Sequence, residues 1–229
     1  SRPVTDYSLE NCTNGNCDRR REYLSAASDL LVTDLEEMAA NWKAGGAARA
    51  ALEESGVAGG LSTILTGMGS LSYGELAGER MKLGLLLGDP EEEHDCFSDN
   101  THNSHRYDAV GIRTAYTGAY TRPDGTEMTG PSLADLLAEK DPAIAAELSA
   151  DLDATVAAME AMVERAETVE AYDQMIAVGN EAGNATVQAA IDALVKQTRS
   201  IERAIAALEL GSIDLEGSDS LDSPDAVFQ

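Results

Sequence analysis

Apolar residues recur at three- and four-residue steps over most of the chain, the spacing that buries one face of an α-helix. Leu24, Ala27, Leu31, Leu35, Met38 and Trp42 step by 3, 4, 4, 3 and 4 behind Asp18, an N-cap residue type, so a helix with an inward stripe is predicted from 18 to 42. Gly45-Gly46 ends it, and a short Ala-rich helix runs to Ser55. From Val57 to Gly88, Leu61, Leu65, Met68, Leu71 and Leu76 alternate with glycines at 60, 67, 74, 78 and 84. Each such glycine costs a helix interior roughly 1 kcal/mol, so close backbone approach is expected along a central, deeply packed helix. A further helix is expected from about Thr101 to Ala119, with Val110, Tyr116 and Ala119 inward, then a turn at Pro123-Asp124-Gly125.

Ser132 with Asp135 resembles a capping box for a short helix ending at Lys140, and Asp141-Pro142 pairs an N-cap with a first-turn proline. Ile144, Leu148, Leu152, Val156, Met159 and Val163 make the stripe of the helix that follows. A Glu-rich connection holding Tyr172 and Met175 leads to the last long helix, where Val187, Ile191, Leu194, Thr198, Ile201, Ile205 and Leu208 step by 4, 3, 4, 3, 4 and 3. Gly211 stops it, and residues 212–229, with five acidic residues and no basic one, read as a mobile tail.

Composition agrees with helices. Leu, Ile, Val and Phe number 45 of 229, a share that with a net charge of −25 would suggest disorder, but 36 alanines reverse that reading because alanine is the best helix former. The acidity argues against a nucleic-acid binder, which needs clustered Lys and Arg. No apolar run nears the ~20 residues that cross a bilayer. Cys12 and Cys17 flank Asn14-Gly15, a turn-forming pair, so they either bridge in an oxidising compartment or stand as two reduced structural thiols.

The chemistry concentrates between 89 and 131, where every histidine lies. Glu91, Glu92, Glu93, His94, Cys96, Asp99, His102 and His105 fall within fifteen residues, a mixture of imidazole and carboxylate that suits iron or zinc. His94 and His102 read as ligands or as polar-core residues, with His105 at the surface and Ser98 or Asn100 capping the next helix. Glu79 and Glu75 share a helix face beside Arg80, placing carboxylates where they can line a cleft facing the histidines. The zinc-peptidase helix motif, the nucleophile elbow, the P-loop and Cys-x-x-Cys are all missing from this sequence.

Gly78-Glu79-Arg80-Met81 and the run Glu92-Glu93-His94-Asp95-Cys96-Phe97-Ser98-Asp99-Asn100-Thr101-His102 resemble the signature of the imelysin-like proteins, which include iron-regulated proteins and insulin-cleaving outer-membrane peptidases of bacteria. Arg2-Pro3-x-Thr5-Asp6-Tyr7, Leu65 to Ser72, Gly130 to Leu133 and Val187 to Leu194 extend the similarity to about Leu210, with Asp95 standing where serine is expected in relatives. The resemblance implies an all-α fold of two bundle-like halves, exported to the periplasm or held on the outer membrane and serving iron acquisition. It also implies a Gly-x-His-x-x-Glu motif upstream of Arg2-Pro3, so the N-terminal helices of the usual fold are expected to be missing from this chain, and the segment that carries them is an expected partner.

On that reading residues 1–17 are a turn-rich start and 18–90 the remainder of a first bundle. Residues 91–211 are a second bundle with the histidine loop, and 212–229 are an acidic flexible tail. The expected function is binding of iron, or of an iron complex such as haem or a chelate, in a polar cleft between bundles. His94, Asp99, His102 and Glu79 are the expected ligands, supported by Arg80, Glu93, Ser98 and Asn100. A zinc-dependent peptidase and a metal-free interaction scaffold are the alternatives.

Overall fold

The computed structural model describes residues 2–228 and divides the chain into two compact units, 1–60 and 61–229. In the first, a short 3-10 helix Val4–Tyr7 packs on α1 (Cys17–Asn41), which is followed by α2 (Ala47–Glu54). The unit is knotted around Asp6, buried and accepting from Thr13 Oγ1 at 2.5 Å, Asn14 Nδ2 at 2.6 Å and Arg2 Nη1 at 3.2 Å. The Thr13 hydroxyl is the largest of the influences that hold the Asp6 carboxyl below the usual carboxylate range. Cys12 and Cys17 form a disulfide with Cα atoms 5.8 Å apart. α1 begins at Cys17, one residue before the expected cap, and its expected core stripe is not buried: Leu24, Leu31, Leu35, Met38 and Trp42 are all more than half exposed.

In the second unit the cross-helix contacts fix the topology. The long glycine-rich segment comprises α3 (Gly56–Ser70, beginning in the first unit), a π-helical stretch Leu71–Lys82 and α4 (Leu83–Leu87). It runs antiparallel to α9 (Glu181–Ala207), since Gln197 meets Ser72 and Gln188 meets Lys82. α9 runs antiparallel to α7 (Pro142–Thr168) through Asp151 with Ser200 and Lys196, and through Glu147 with Arg203. α7 in turn is antiparallel to α5 (Thr101–Thr117), where Arg113 meets Asp153 and Arg106 meets Glu160. The short helices α6 (Leu133–Lys140) and α8 (Tyr172–Ile176) close the bundle. Because residues 61–87 pack against α9, the boundary expected at 90/91 lies inside the second unit.

Two apolar clusters fill the bundle along its length. One holds Leu76, Met81, Met159, Met162, Met175 and Leu194, the other Leu65, Ile112, Tyr116, Leu148, Leu152 and Ile201. The caps form as the sequence implies: Ser132 Oγ accepts from Asp135 N, and Asp141 Oδ1 accepts from Ala143 N and Ile144 N. α5 ends at Thr117 because Gly118 takes a left-handed conformation, so Ala119 is not inward but begins a hairpin of β1 (Ala119–Thr121) and β2 (Glu127–Thr129) around the predicted turn.

The glycines at the end of α3 and on the π-helical stretch have a definite purpose. A Cβ on Gly69 would lie 2.6 Å from Leu215, on Gly74 2.6 Å from the Glu216 carbonyl oxygen, and on Gly78 it would collide with the Ser218 side chain. The C-terminal residues expected to be mobile therefore lie along this face. Ser70 Oγ accepts from Glu216 N at 3.1 Å, Ser220 Oγ donates to the Gly78 carbonyl at 2.9 Å, and Tyr73 donates to Asp222 at 2.6 Å. Asp222 accepts from Ser218 N at 3.0 Å and closes the strap on itself through a short helix, α10 (Asp219–Asp222). The acidic run lies against this face because its serines and Leu215 find partners there, whatever its charge. Gly74→Ala is predicted to destabilise the protein by about 1–3 kcal/mol, since the new methyl meets backbone that cannot yield. Thermal unfolding measures this, and hydrogen exchange at 215–222 should quicken; an unchanged melting temperature and unchanged exchange would contradict it.

Candidate functional site

α5 opens the site from the inside. Thr101, His105, Ala109, Ile112 and Tyr116 are its buried residues, at steps of 4, 4, 3 and 4, so His105 occupies a core position of an amphipathic helix. It is fully buried, not at the surface as its polarity suggested, because the register of α5 and not residue type sets which side chain faces α8. The Tyr172 ring of α8 makes a T-shaped contact with it, centroids 5.3 Å apart, and the His94 ring centroid lies 6.2 Å away.

Arg80, at the end of the π-helical stretch, organises the outer layer. Its guanidinium contacts Glu75 Oε1 at 2.7 Å and Asp108 Oδ2 at 3.0 Å, and approaches His94 Nε2 at 3.3 Å. A guanidinium only donates, so this contact is a hydrogen bond where the His94 Nε2 carries no proton. Burial raises the Asp108 carboxyl, and the Arg80 charge beside it opposes that rise.

The loop between α4 and α5 is built on Asp95. Its carboxylate accepts from Ser104 Oγ, its N–H donates to Thr101 Oγ1 at 3.0 Å, and its carbonyl accepts from Ser98 N and Asp99 N. Asp99 is exposed with φ 55°, and Ser98 and Asn100 are exposed, with Asn100 taking the cap position of α5 without a side-chain cap bond. Glu79 accepts from Ser218 Oγ at 2.6 Å. Of the expected ligands, then, the structure brings His94 beside Arg80, leaves Asp99 in the loop and gives Glu79 to the C-terminal strap.

The unpartnered donors lie elsewhere. Glu93 Oε2, His102 Nδ1, both ring nitrogens of His105 and the Tyr172 hydroxyl are buried without a hydrogen-bond partner. Native interiors rarely leave such groups unpaired, because each costs about 1–3 kcal/mol. Burial pushes Glu93 up to about 6 despite a hydrogen bond from Thr101, with Asp173, Asp99 and Asp95 adding to the rise. Burial, then the charges of His94 and Arg80, push His105 down to about 3. Burial also raises the Tyr172 phenol, and the nearby Glu93 charge adds to it. The sequence reading counted His105 in the histidine cluster but put it at the surface, and gave Tyr172 no role, although the 4, 4, 3, 4 stripe on α5 placed His105 among core positions.

The family model for imelysin, peptidase family M75, matches residues 1–201. The chain belongs to the imelysin family. No curated protein matches it. The strap at 213–222 lies beyond the matched imelysin region, while Arg80, the Asp95 loop, His105 and Tyr172 lie within it.

Iron, the metal the resemblance implies, can be tested against these donors. Carboxylate and imidazole match its ligand chemistry, and Glu93, His102 and His105 all have atoms without partners. Among the described residues, however, no three His, Cys, Asp or Glu side chains are arranged to hold a metal ion. The donors fit iron in kind, and they form less than a complete coordination sphere.

Burial of the Glu93 carboxylate, whose Oε2 has no hydrogen-bond partner, predicts a measurable stability cost. Its folded pKa of about 6 exceeds the ordinary 4.5, so the stabilisation it gives is complete below about 4.5 and lost as pH rises through about 6. His105 has the opposite sign: its contribution is present above 6.5 and lost as pH falls toward about 3. Comparing Glu93→Gln with wild type cancels the His105 trend. In metal-free protein the variant should be about 1–2 kcal/mol more stable than wild type at pH 7.5, with the gap closing near pH 4.5, as read by urea unfolding. A variant less stable at pH 7.5 would contradict a carboxyl raised by burial.

Proposed function

We propose that this imelysin binds iron, delivered with ligands of its own as a small complex, at the buried end of α5 facing α8 and the Asp95 loop. The carrying observation is the set of unpartnered polar atoms on Glu93, His102, His105 and Tyr172 in one neighbourhood. An incomplete protein ligand set favours an iron species that brings further donors over a bare ion. A net charge of −25 concentrates cations around the molecule, and Asp95, Asp99 and Asp173 lie close enough to Glu93 to act on its charge. A catalytic zinc asks for about three protein ligands and an open water position, which makes the peptidase reading the more demanding one.

The Cys12–Cys17 disulfide supports an oxidising, extracytoplasmic location and a role in iron acquisition there. The exposed apolar stripe on α1 suits docking of a further helix, such as one carrying the Gly-x-His-x-x-Glu motif of the family. Equilibrium dialysis against ferric citrate tests the binding. Wild type should retain iron stoichiometrically, and Glu93→Gln with His102→Ala should weaken retention at least tenfold while preserving helical content. Equal retention by wild type and the double variant would overturn the assignment of the site, and no retention by wild type would overturn the function.

A further inference from the structure

A cavity of about 440 Å³ opens between α9 and the C-terminal strap, and no residue of α5, α8 or the Asp95 loop lines it. Its size is that of a small-molecule site. Val195 of α9 with Ile213 and Leu215 of the strap supply an aliphatic wall. Arg199 and Glu202 of α9 and Asp214 of the strap bring charge of both signs, and among the described residues none of these three has a hydrogen bond or an ion pair. Arg199 and Glu202 are three residues apart on one helix, a spacing at which opposite charges ordinarily pair. Tyr73 and Asp222 complete the lining, the tyrosine hydroxyl donating to the carboxylate at 2.6 Å. That bond first, and then burial, push the phenol up to about 12, and the Arg199 and Glu202 charges lie close enough to act on it. An uncommitted guanidinium and uncommitted carboxylates thus share one cavity with an aliphatic wall.

We propose that this cavity binds a basic α-amino acid such as lysine, with the carboxylate on Arg199, the ammonium groups on Glu202 and Asp214, and the methylene chain along Val195, Ile213 and Leu215. Arginine presents a planar fork of donors that matches a carboxylate, and here that fork is unspent. Charge decides among amino acids. With Asp222 counted, the lining carries one positive group against three negative ones, so a ligand with two ammonium groups and one carboxylate balances it better than a neutral or acidic one. A plain diamine matches the carboxylates but leaves Arg199 facing another cation. The site also gives the strap a use. The imelysin match ends at residue 201, so Glu202 and the wall formed by residues 213–217 belong to the part of the chain beyond it, and a ligand held between that wall and α9 ties the strap down.

Calorimetric titration of the purified full chain at neutral pH and low salt tests the proposal with three probes: L-lysine, L-glutamate, and cadaverine, which is lysine without its carboxylate. Lysine should bind saturably with one site per chain, and glutamate should not bind. Cadaverine should bind roughly tenfold more weakly than lysine or worse, the loss expected when hydrogen bonds to a charged group are removed. Arg199→Gln gives up no contact within the protein, so it should fold normally, and it should lower lysine to the affinity of cadaverine without weakening cadaverine itself. Hydrogen exchange gives an answer that needs no variant, since saturating lysine should slow exchange at 213–217. Absence of saturable lysine binding, equal affinity for lysine and cadaverine, or lysine binding that survives Arg199→Gln unchanged would each overturn the proposal.

Discussion

The structure depends on a cost it has not relieved: polar side chains held in the interior of a helical bundle without partners. His105 pays for its place on the inner face of α5 by staying neutral, and Glu93 keeps its proton to an unusually high pH. Elsewhere in the same bundle buried polar groups are satisfied. Asp151 takes Ser200 and Lys196, and Gln197 donates to Ser72, which itself donates to the Met68 carbonyl. The contrast separates two uses of buried polarity, one that joins helices and one that leaves donors available at one end of the bundle.

The outer layer explains why that end remains open to chemistry while the fold stays fixed. Arg80 is held by Glu75 and Asp108 and lies 3.3 Å from His94 Nε2. Glu79 is likewise held by Ser218 of the strap. The glycine face admits the strap at van der Waals distance, and the wider π-helical turn carries Arg80 and Glu79 next to each other in sequence toward different partners. Loop rigidity comes from Asp95, whose carboxylate and backbone serve Ser104, Thr101, Ser98 and Asp99 together.

Much of this was legible in the residues. The α9 stripe from Val187 to Ile205 is buried as its spacing requires, and Asp141-Pro142 and Ser132 cap their helices. Burial of the α1 stripe was not legible, because periodicity identifies an apolar face without saying what covers it. The path of the strap was not legible from its charge; glycines at 69, 74 and 78 on the facing helix were the signal that a backbone runs alongside. Tyr172 looked like part of a connection because five residues of helix between longer elements leave no periodic trace. Residue type drew attention to His94 and Asp99, whereas register, which decides burial, singled out His105.

The central claim is that His105 sits neutral and unpartnered inside the bundle, so its ring is the most direct thing to observe. Nitrogen-15 NMR of the histidine side chains across an acid titration of metal-free protein reads its protonation without a variant. The account predicts an imidazole that stays neutral down to about pH 3 while the protein remains folded. A midpoint near the ordinary 6.5 in the folded protein would mean the ring is solvated or paired with a carboxylate, and the donor site described here would not exist.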